Sequence, residues 1–326
     1  MIKKIAILTS GGDAPGMNPA IRAIVRSANA NGIESYLVIN GYKGLVEGDI
    51  RKANTIDLDQ FINRGGTCIL SARYPEFKQP EVRLKAKEQL DKLGIEALIV
   101  IGGDGSYQGA QLLNNIGIKT IGLPGTIDND ISSTDFTIGF DTTLNTIVEN
   151  IDKIRDTSRS HGRATIVEVM GRYAGDLAVY SGIATGAELI ITSENKMEVA
   201  DIAKVVDQQM NQFKKDSMII IVTEHVYPNV DQIAKDIETK TGVCTRATIL
   251  GHIQRGGTPS AMERYLATKM GHYAVQLLLQ NQSGLAVGIV QNQLKAFPIL
   301  EALSQPRVLY LETIKEFNSI NQKKIN

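Results

Sequence analysis

Acidic side chains set among glycines recur along this chain at places where an apolar run gives out. Gly102-Gly103-Asp104-Gly105-Ser106 follows Ala-Leu-Ile-Val-Ile at 97–101, and Pro124-Gly-Thr126-Ile127-Asp128-Asn-Asp130 follows Thr-Ile-Gly-Leu at 120–123. Bare glycine backbone lets a bulky ligand approach closely. Asp104 at a helix start suits a cap, and it also offers the hard oxygen that a phosphate-bound Mg²⁺ takes alongside its waters. Thr126, Asp128 and Asp130 add a hydroxyl and two carboxylates within five residues, in a stretch whose residue types also form turns. Two neighbouring acids can divide their work, one holding a metal and one accepting a proton.

Basic groups stand in similar places. Arg73 and Tyr74 fall in a loop after Arg64-Gly-Gly-Thr67, and Met170-Gly171-Arg172 and Glu224-His225 each end a strand-like run. An arginine at a helix start opposes the helix dipole, which an anionic ligand would offset. Thr245-Arg246-Ala-Thr-Ile-Leu-Gly-His252-Ile-Gln-Arg255-Gly-Gly257 collects three basic residues around glycine, and guanidinium forks match phosphate oxygens in pairs. These features together spell an anion pocket.

The elements that must position these groups are read from periodicity. The runs at 97–101 and 120–123 have the unbroken apolar character of parallel strands buried on both faces, whose carboxyl ends border the ligand crevice of an open α/β sheet. Further strands are expected at 5–8, 36–39, 164–170, 189–192, 218–223 and 286–290. Helices are expected where Ile21, Ile24, Val25 and Ala28 recur, at 81–93, around Ala110 and Leu113, at 141–156, at 199–213, through Met262, Leu266, Met270, Tyr273, Ala274 and Leu277, and at 309–317. Leu84 joins the apolar side of the second of these, and Met262 and Met270 are expected in the core. Gly41, Gly44 and Gly48 interrupt any regular pattern, and the last six residues are expected to fray.

The turn Thr9-Ser-Gly11-Gly-Asp-Ala-Pro-Gly16-Met-Asn18 joins a strand to a helix and would turn backbone N–H groups toward a phosphate. It is not a Walker A loop, since Met17-Asn18 stands where Lys-Ser/Thr is required, and no strict G-x-G-x-x-G follows an expected strand.

Composition narrows the class. At 326 residues two lobes are expected, and 35 basic against 35 acidic residues leave no excess charge to suggest a nucleic-acid or membrane-surface protein. Cys68 and Cys244 are too few for a disulfide framework or a four-cysteine metal site, which suits a reducing cytoplasm. No apolar stretch approaches the roughly 20 residues that span a bilayer, so a soluble chain, neither exported nor anchored, is expected.

The five motifs Ser10 to Asn18, Gly102 to Ser106, Pro124 to Asp130, Met170 to Arg172 and Gly251 to Gly257, in that order from about 1 to 317, closely resemble those of bacterial ATP-dependent 6-phosphofructokinases. The resemblance implies an α/β protein of two Rossmann-like three-layer lobes with the active site between them. Residues 1–138 and 252–304 would form the nucleotide lobe, and 139–251 and 305–319 the sugar-phosphate lobe. It implies transfer of the γ-phosphoryl of ATP to the 1-hydroxyl of fructose 6-phosphate, with Mg²⁺ on Asp104 and Asp128 as general base. Arg172 and Thr126 would steady the moving group. Gly11, Arg73, Tyr74, Gly103, Gly105 and Ser106 match the ATP cradle. Ile127, Met170, Gly171, Glu224, His252 and Arg255 match sugar-phosphate contacts, and Arg163 and Arg246 match positions that reach a neighbouring subunit's site in a homotetramer.

Arg22, Arg26, Arg155, Gly186, Ala187, Glu188 and Lys215 match parts of a second site for ADP or phosphoenolpyruvate. A family arginine is replaced by Thr55, and the register shifts around 213–217, so an altered effector response is expected. Pyrophosphate-dependent relatives carry Asp at the position of Gly105 and Lys at that of Gly125, so the two glycines favour ATP. A pyrophosphate-dependent enzyme is the nearest alternative. A non-catalytic nucleotide or sugar-phosphate sensor and a lipid or NAD kinase stand further off, the first because Asp128 and Arg172 are both present, the second because such kinases lack the later motifs.

Overall fold

The computed structural model describes residues 2–322. In chain order the elements are β1 (Lys4–Ser10), α1 (Met17–Ala30), β2 (Glu34–Val38), α2 (Gly41–Glu47), β3 (Ile50–Lys52), α3 (Pro80–Leu93), β4 (Ala97–Gly102), α4 (Asp104–Asn114) and β5 (Lys119–Pro124). Then follow α5 (Phe140–Ser160), β6 (Ala164–Val169), α6 (Asp176–Thr185), β7 (Leu189–Ile191), α7 (Val199–Val206), β8 (Met218–Thr223), α8 (Val230–Thr241) and β9 (Thr245–Ile249). The chain closes with α9 (Ala261–Leu279), β10 (Leu285–Val290), β11 (Gln293–Pro298), α10 (Ile299–Ser304) and α11 (Leu311–Asn321). None of the described helices is long and apolar enough to cross a membrane.

The chain divides into two compact units. The first holds the chain up to Ile127, Ile131–Thr142 and Arg255–Arg307; the second holds Asp128–Asp130, Thr143–Gln254 and the chain from Val308 onward. The divisions at 142/143, 254/255 and 307/308 stand beside the expected 138/139, 251/252 and 304/305. The expected lobes did not separate Asp128–Asp130 from the residues before them.

The first unit is built on a sheet ordered β11-β10-β5-β4-β1-β2-β3. The strands from β10 to β2 run parallel and β3 and β11 pair antiparallel at its edges. Every residue of β4 is buried, as a central parallel strand covered on both faces requires. One face packs Leu8, Val38, Leu98 and Val100 against Leu90 of α3, Tyr107 and Leu113 of α4 and Ile299 of α10. The second unit carries the parallel sheet β7-β8-β6-β9, with Ile166, Ile191 and Ile220 packed against Ile202 and Val206 of α7 and Ile237 of α8.

Several expectations are corrected. The glycines at 41, 44 and 48 lie in and just after α2 rather than breaking it: a Cβ on Gly44 would stand 1.6 Å from the carbonyl oxygen of Ile39, so close backbone packing excludes any larger residue there. The helix from Val199 ends at Val206 and continues as a π-helical turn over Asp207–Gln212. Met262 is 61% exposed, whereas Met270 is fully buried, and Leu84 is exposed as well, because each stands on the outer edge of its helix stripe. Of the six residues expected to fray, Asn321 ends α11 and Gln322 follows it with its Nε2 donating to the carbonyl of Glu188; 323–326 lie outside the described residues.

A buried acid ties three parts of the first unit together. Glu263 of α9 is fully buried and accepts from the backbone N–H of Gly139 at 2.7 Å, and from the N–H and hydroxyl of Thr142 at 3.2 Å each. It thereby caps α5 from a distant helix and packs beneath Gly16. Burial raises its carboxyl to about 7, and Asp141 adds to the rise. The folded chain therefore keeps a proton that the unfolded chain releases near 4.5, so stability falls as pH rises between these values and levels off above 7. The full effect is on the order of 3 kcal/mol. Urea unfolding at pH 5 and pH 8 should show this loss in the wild type and lack it in Glu263→Gln; an equal pH response in the two would refute the assignment. In the same assay, Met270→Ala should cost about 2–5 kcal/mol and Met262→Ala under about 0.5.

Candidate functional site

In the first unit, β1, β4 and β5 end side by side, with Ser10 paired to Gly102 and Gly102 to Pro124. The residues that follow, Gly11, Gly103 and Gly125, therefore emerge at one edge of the sheet. Gly11 adopts φ +90, which a side chain would strain. Its carbonyl accepts the Ser71 hydroxyl at 2.8 Å and its N–H reaches the Ala72 carbonyl at 3.4 Å, so the loop bearing Arg73 and Tyr74 is fastened to this turn. Ser106 Oγ donates to the Ser10 carbonyl at 3.1 Å, fastening the start of α4 to the same turn.

Gly103 and Gly105 differ from most glycines of the chain. Neither has a positive φ, and a Cβ built on either would meet nothing within 4 Å. Neither the backbone nor internal packing demands glycine there, so the bareness leaves room for something else. Asp104 stands one residue inside α4, with Gly103 at the N-cap position, in the first turn where the helix dipole favours negative charge. Gly125 is different: a Cβ there would lie 2.8 Å from Ile101 Cγ2 and 3.1 Å from Met17 Cε, so packing alone explains it and its weight in choosing a phosphoryl donor is reduced.

Two basic groups border this edge. Arg73 is exposed, and its guanidinium makes no hydrogen bond or ion pair among the described residues. Arg255 lies over the turn: its Nη1 approaches the Asp13 carbonyl at 3.4 Å and carboxylate at 3.9 Å, and a Cβ on Gly12 would collide with it at 1.9 Å. Arg255 is therefore set against the Gly11–Asp13 turn of its own unit. Thr126 is half-buried, with its N–H donating to the Ile138 carbonyl and its carbonyl accepting the Thr137 hydroxyl. Ile127 and Asp128, next along the chain, are buried.

In the second unit, β6, β8 and β9 likewise end together, with Val169 paired to Thr223 and Glu168 to Ile249. Met170, Gly171, Arg172, Glu224 and His252 follow these ends. Arg172 has φ 57 and His225 φ 67, and Asn129 in the loop after β5 has φ 52. Left-handed backbone at non-glycine residues is stored strain that gathers at functional sites. The Arg172 N–H donates to Glu224 Oε1 at 2.8 Å, which joins two of the strand ends directly. Half-burial, with Glu224 beside it, raises the carboxyl of Glu168.

One organiser was missed from the sequence. Gln254, fully buried, accepts the Met170 N–H at 3.1 Å through Oε1, donates to the Gly251 carbonyl at 2.9 Å and accepts the Thr143 hydroxyl on its own carbonyl. It thus holds the residue before Gly171. Its place between His252 and Arg255 was the available signal, but a glutamine carries no charge to draw notice.

Arg163 and Arg246 are not brought to that edge. Arg163 precedes β6 and Arg246 pairs with Thr165 at the start of it, so both stand at the opposite end of the sheet, roughly 20 Å of strand away. Arg246 is exposed and ion-paired to Glu238 at 2.7 Å. The residues expected at a second site fall into two groups. In the first unit Asp59 pairs with Arg22 at 2.6 Å and also with Arg26. In the second, Glu188 is buried between Lys215 at 3.3 Å and Arg155 at 3.8 Å, and Arg155 also donates to the carbonyl of Thr185 and more weakly to that of Gly186. Ala187 is buried, its carbonyl accepting from Asn321. Thr55 spends its hydroxyl on the Lys52 carbonyl.

Among the described residues no group of three or more His, Cys, Asp or Glu is arranged to hold a metal. Magnesium bound mainly through phosphate oxygens needs only one or two protein carboxylates, and Asp104 beside open glycine backbone fits that requirement.

The chain is similar to known proteins along most of its length. The family described as phosphofructokinase matches residues 4–278. The ATP-dependent 6-phosphofructokinase of Mycoplasmopsis pulmonis is 58% identical over 325 residues, covering 99% of this chain and 100% of that one. That of Bacillus mycoides is 53% identical over 308 residues, 94% of this chain and 96% of the relative. Among solved structures, the phosphofructokinase of Saccharomyces cerevisiae superposes with a TM-score of 0.86 at 35% identity, over 98% of this chain and 47% of the yeast chain, so this chain spans about half of that one. A pyrophosphate-dependent phosphofructokinase from Marinobacter aquaeolei has a TM-score of 0.84 at 21% identity, over 98% and 91%, a likeness of fold alone. With its glycine-lined strand ends and a match along nearly its whole length, the chain belongs to the phosphofructokinase family.

Proposed function

We propose that this chain is an ATP-dependent 6-phosphofructokinase, which transfers the γ-phosphoryl of ATP to the 1-hydroxyl of fructose 6-phosphate and releases fructose 1,6-bisphosphate and ADP. The observation that carries the donor is the bare backbone at Gly103 and Gly105, for which the fold itself has no need. An acidic side chain at 105 would fill and repel the space of the α-phosphate, which pyrophosphate lacks.

Catalysis of phosphoryl transfer rests on positioning and on neutralising oxygens rather than on covalent work. Asp128 takes the proton of the 1-hydroxyl as that oxygen bonds to the γ-phosphorus, and the bond from the γ-phosphorus to the β,γ-bridging oxygen breaks, leaving ADP. Thr126 and Arg172 steady the transferring group. Gly11, Arg73, Tyr74 and Gly103 to Ser106 cradle the nucleotide. Met170, Gly171, Glu224, His252 and Arg255 hold the sugar phosphate. Mg²⁺, held by Asp104, would supply positive charge against the nucleotide phosphates.

The opposite-edge placement of Arg163 and Arg246 supports a homotetramer in which they serve a neighbouring copy's sugar phosphate. Arg155, Glu188 and Lys215, together with Arg22 and Arg26, form the parts of a regulatory anion site for ADP or phosphoenolpyruvate, altered by Thr55. The units correspond to a nucleotide lobe and a sugar-phosphate lobe, and the enzyme works in the cytoplasm.

A coupled assay for fructose 1,6-bisphosphate should show turnover with ATP and little with pyrophosphate; the reverse preference would make this a pyrophosphate-dependent enzyme, and product from neither donor would leave a sensor. Asp128→Asn should keep substrate binding and lose kcat by roughly 10²-fold or more. Near-normal turnover would remove Asp128 from the mechanism. Gly105→Asp should raise KM for ATP about tenfold, equivalent to about 1.4 kcal/mol, while thermal stability stays at the wild-type value. Gly125→Lys should lower stability instead, because its Cβ has no room. A loss of stability in Gly105→Asp with unchanged KM would contradict the assignment of that space to the nucleotide.

A further inference from the structure

The loop that carries the proposed base is held by a side-chain contact from the start of α6. Asn129, between Asp128 and Asp130, donates from Nδ2 to Asp176 Oδ1 at 3.0 Å, and the Tyr310 hydroxyl donates to the same oxygen at 3.2 Å. Asp176 is buried and lies at the first position of α6, where the helix dipole favours its negative charge. It follows Gly171-Arg172-Tyr-Ala-Gly175, a segment turned back on itself by the Ala174 N–H bonding to the Gly171 carbonyl at 2.8 Å. Asp176 thus touches the Asp128 loop while standing four residues beyond Arg172 in the same connection. All of these residues belong to the second unit.

We infer that Asp176, backed by Tyr310, is a positioning residue that fixes the Asp128–Asp130 loop and the Arg172 turn as one piece. Three facts support it. Asn129 sits at φ 52, a left-handed conformation that asparagine tolerates, with its amide bonded to Asp176. Tyr310 is wedged edge-on against Tyr180 of α6, with ring centres 6.0 Å apart. Burial, with Asp176 beside it, raises the Tyr310 phenol well above the ordinary range, so it remains a donor at any working pH. Neither Asp176 nor Tyr310 belongs to a motif that pointed to chemistry, and Tyr310 reaches the site from the chain's last segment.

The inference rests on Asp128 being the base, and the test separates the two claims. Asn129→Asp preserves size and tolerance of left-handed φ but sets a carboxylate against Asp176. In the fructose 1,6-bisphosphate assay at pH 8 its kcat should fall at least tenfold with KM for ATP and for fructose 6-phosphate within threefold of wild type. The ratio of variant to wild-type kcat should rise as pH is lowered toward 6, where a proton shared between residues 129 and 176 restores the bond. Tyr310→Phe, which loses one hydroxyl only, should lower kcat severalfold with both KM values kept. Both variants within twofold of wild-type kcat, or losses confined to KM, would overturn the inference. If Asp128→Asn in the same assay retains turnover, the base assignment fails instead.

Discussion

A parallel sheet covered on both faces has nowhere to present chemistry except at its ends. Along β4 and β8 every residue is buried, and β5 is almost as closed. A ligand can therefore meet only the residues just past the last strand hydrogen bond, where the chain must also reverse into a helix. That double demand selects glycine or a left-handed residue, and each of these edges shows it: Gly11 at φ 90 after β1, Arg172 at φ 57 after β6 and His225 at φ 67 after β8. The helices that begin there bring N–H groups and a positive dipole end to the same place, which is why phosphate is the ligand chemistry these edges suit.

The edges hold their shape through buried polar residues that contact no ligand in the proposed scheme. Glu263 gathers the N-terminus of α5, Gln254 holds Met170, and Asp176 joins Asn129 to Tyr310. Each satisfies backbone or amide groups that would otherwise be left in a water-poor interior at a cost of about 1–3 kcal/mol apiece. In that scheme Glu263, Gln254 and Asp176 hold the loops, while Arg172, exposed, and Asp128, buried, are the groups proposed to meet the substrate.

Much of this was legible in the sequence, and for a physical reason. Doubly buried strands such as β4 and β8 announce themselves as unbroken apolar runs, and the glycine clusters after them mark the turns. What escaped were elements whose pattern is ambiguous on its own. β9 reads Thr-Arg-Ala-Thr-Ile, a mixture of buried, half-buried and exposed positions, and α6 is apolar nearly all round, so neither shows a clean period. α2 was hidden by its glycines, of which Gly44 is required by close packing against the Ile39 carbonyl just after β2. The reading of Met262 failed because a helix stripe has edges, and residues at its margin can face outward.

The candidate site divides in the same way. Charged residues beside glycine stood out, whereas Gln254, Glu263 and Asp176 act through partners 84, 124 and 47 residues away in the chain, which spacing cannot reveal. In the proposed scheme the glycine edge formed by β1 and β4 receives the nucleotide phosphates. A crystal structure with Mg²⁺ and ADP tests it most directly. The β-phosphate should lie within hydrogen-bond distance of backbone N–H groups among Gly11 and Gly103 to Ser106, with Asp104 facing the metal. Phosphates bound away from that edge, with Gly103 and Gly105 open to solvent, would contradict it.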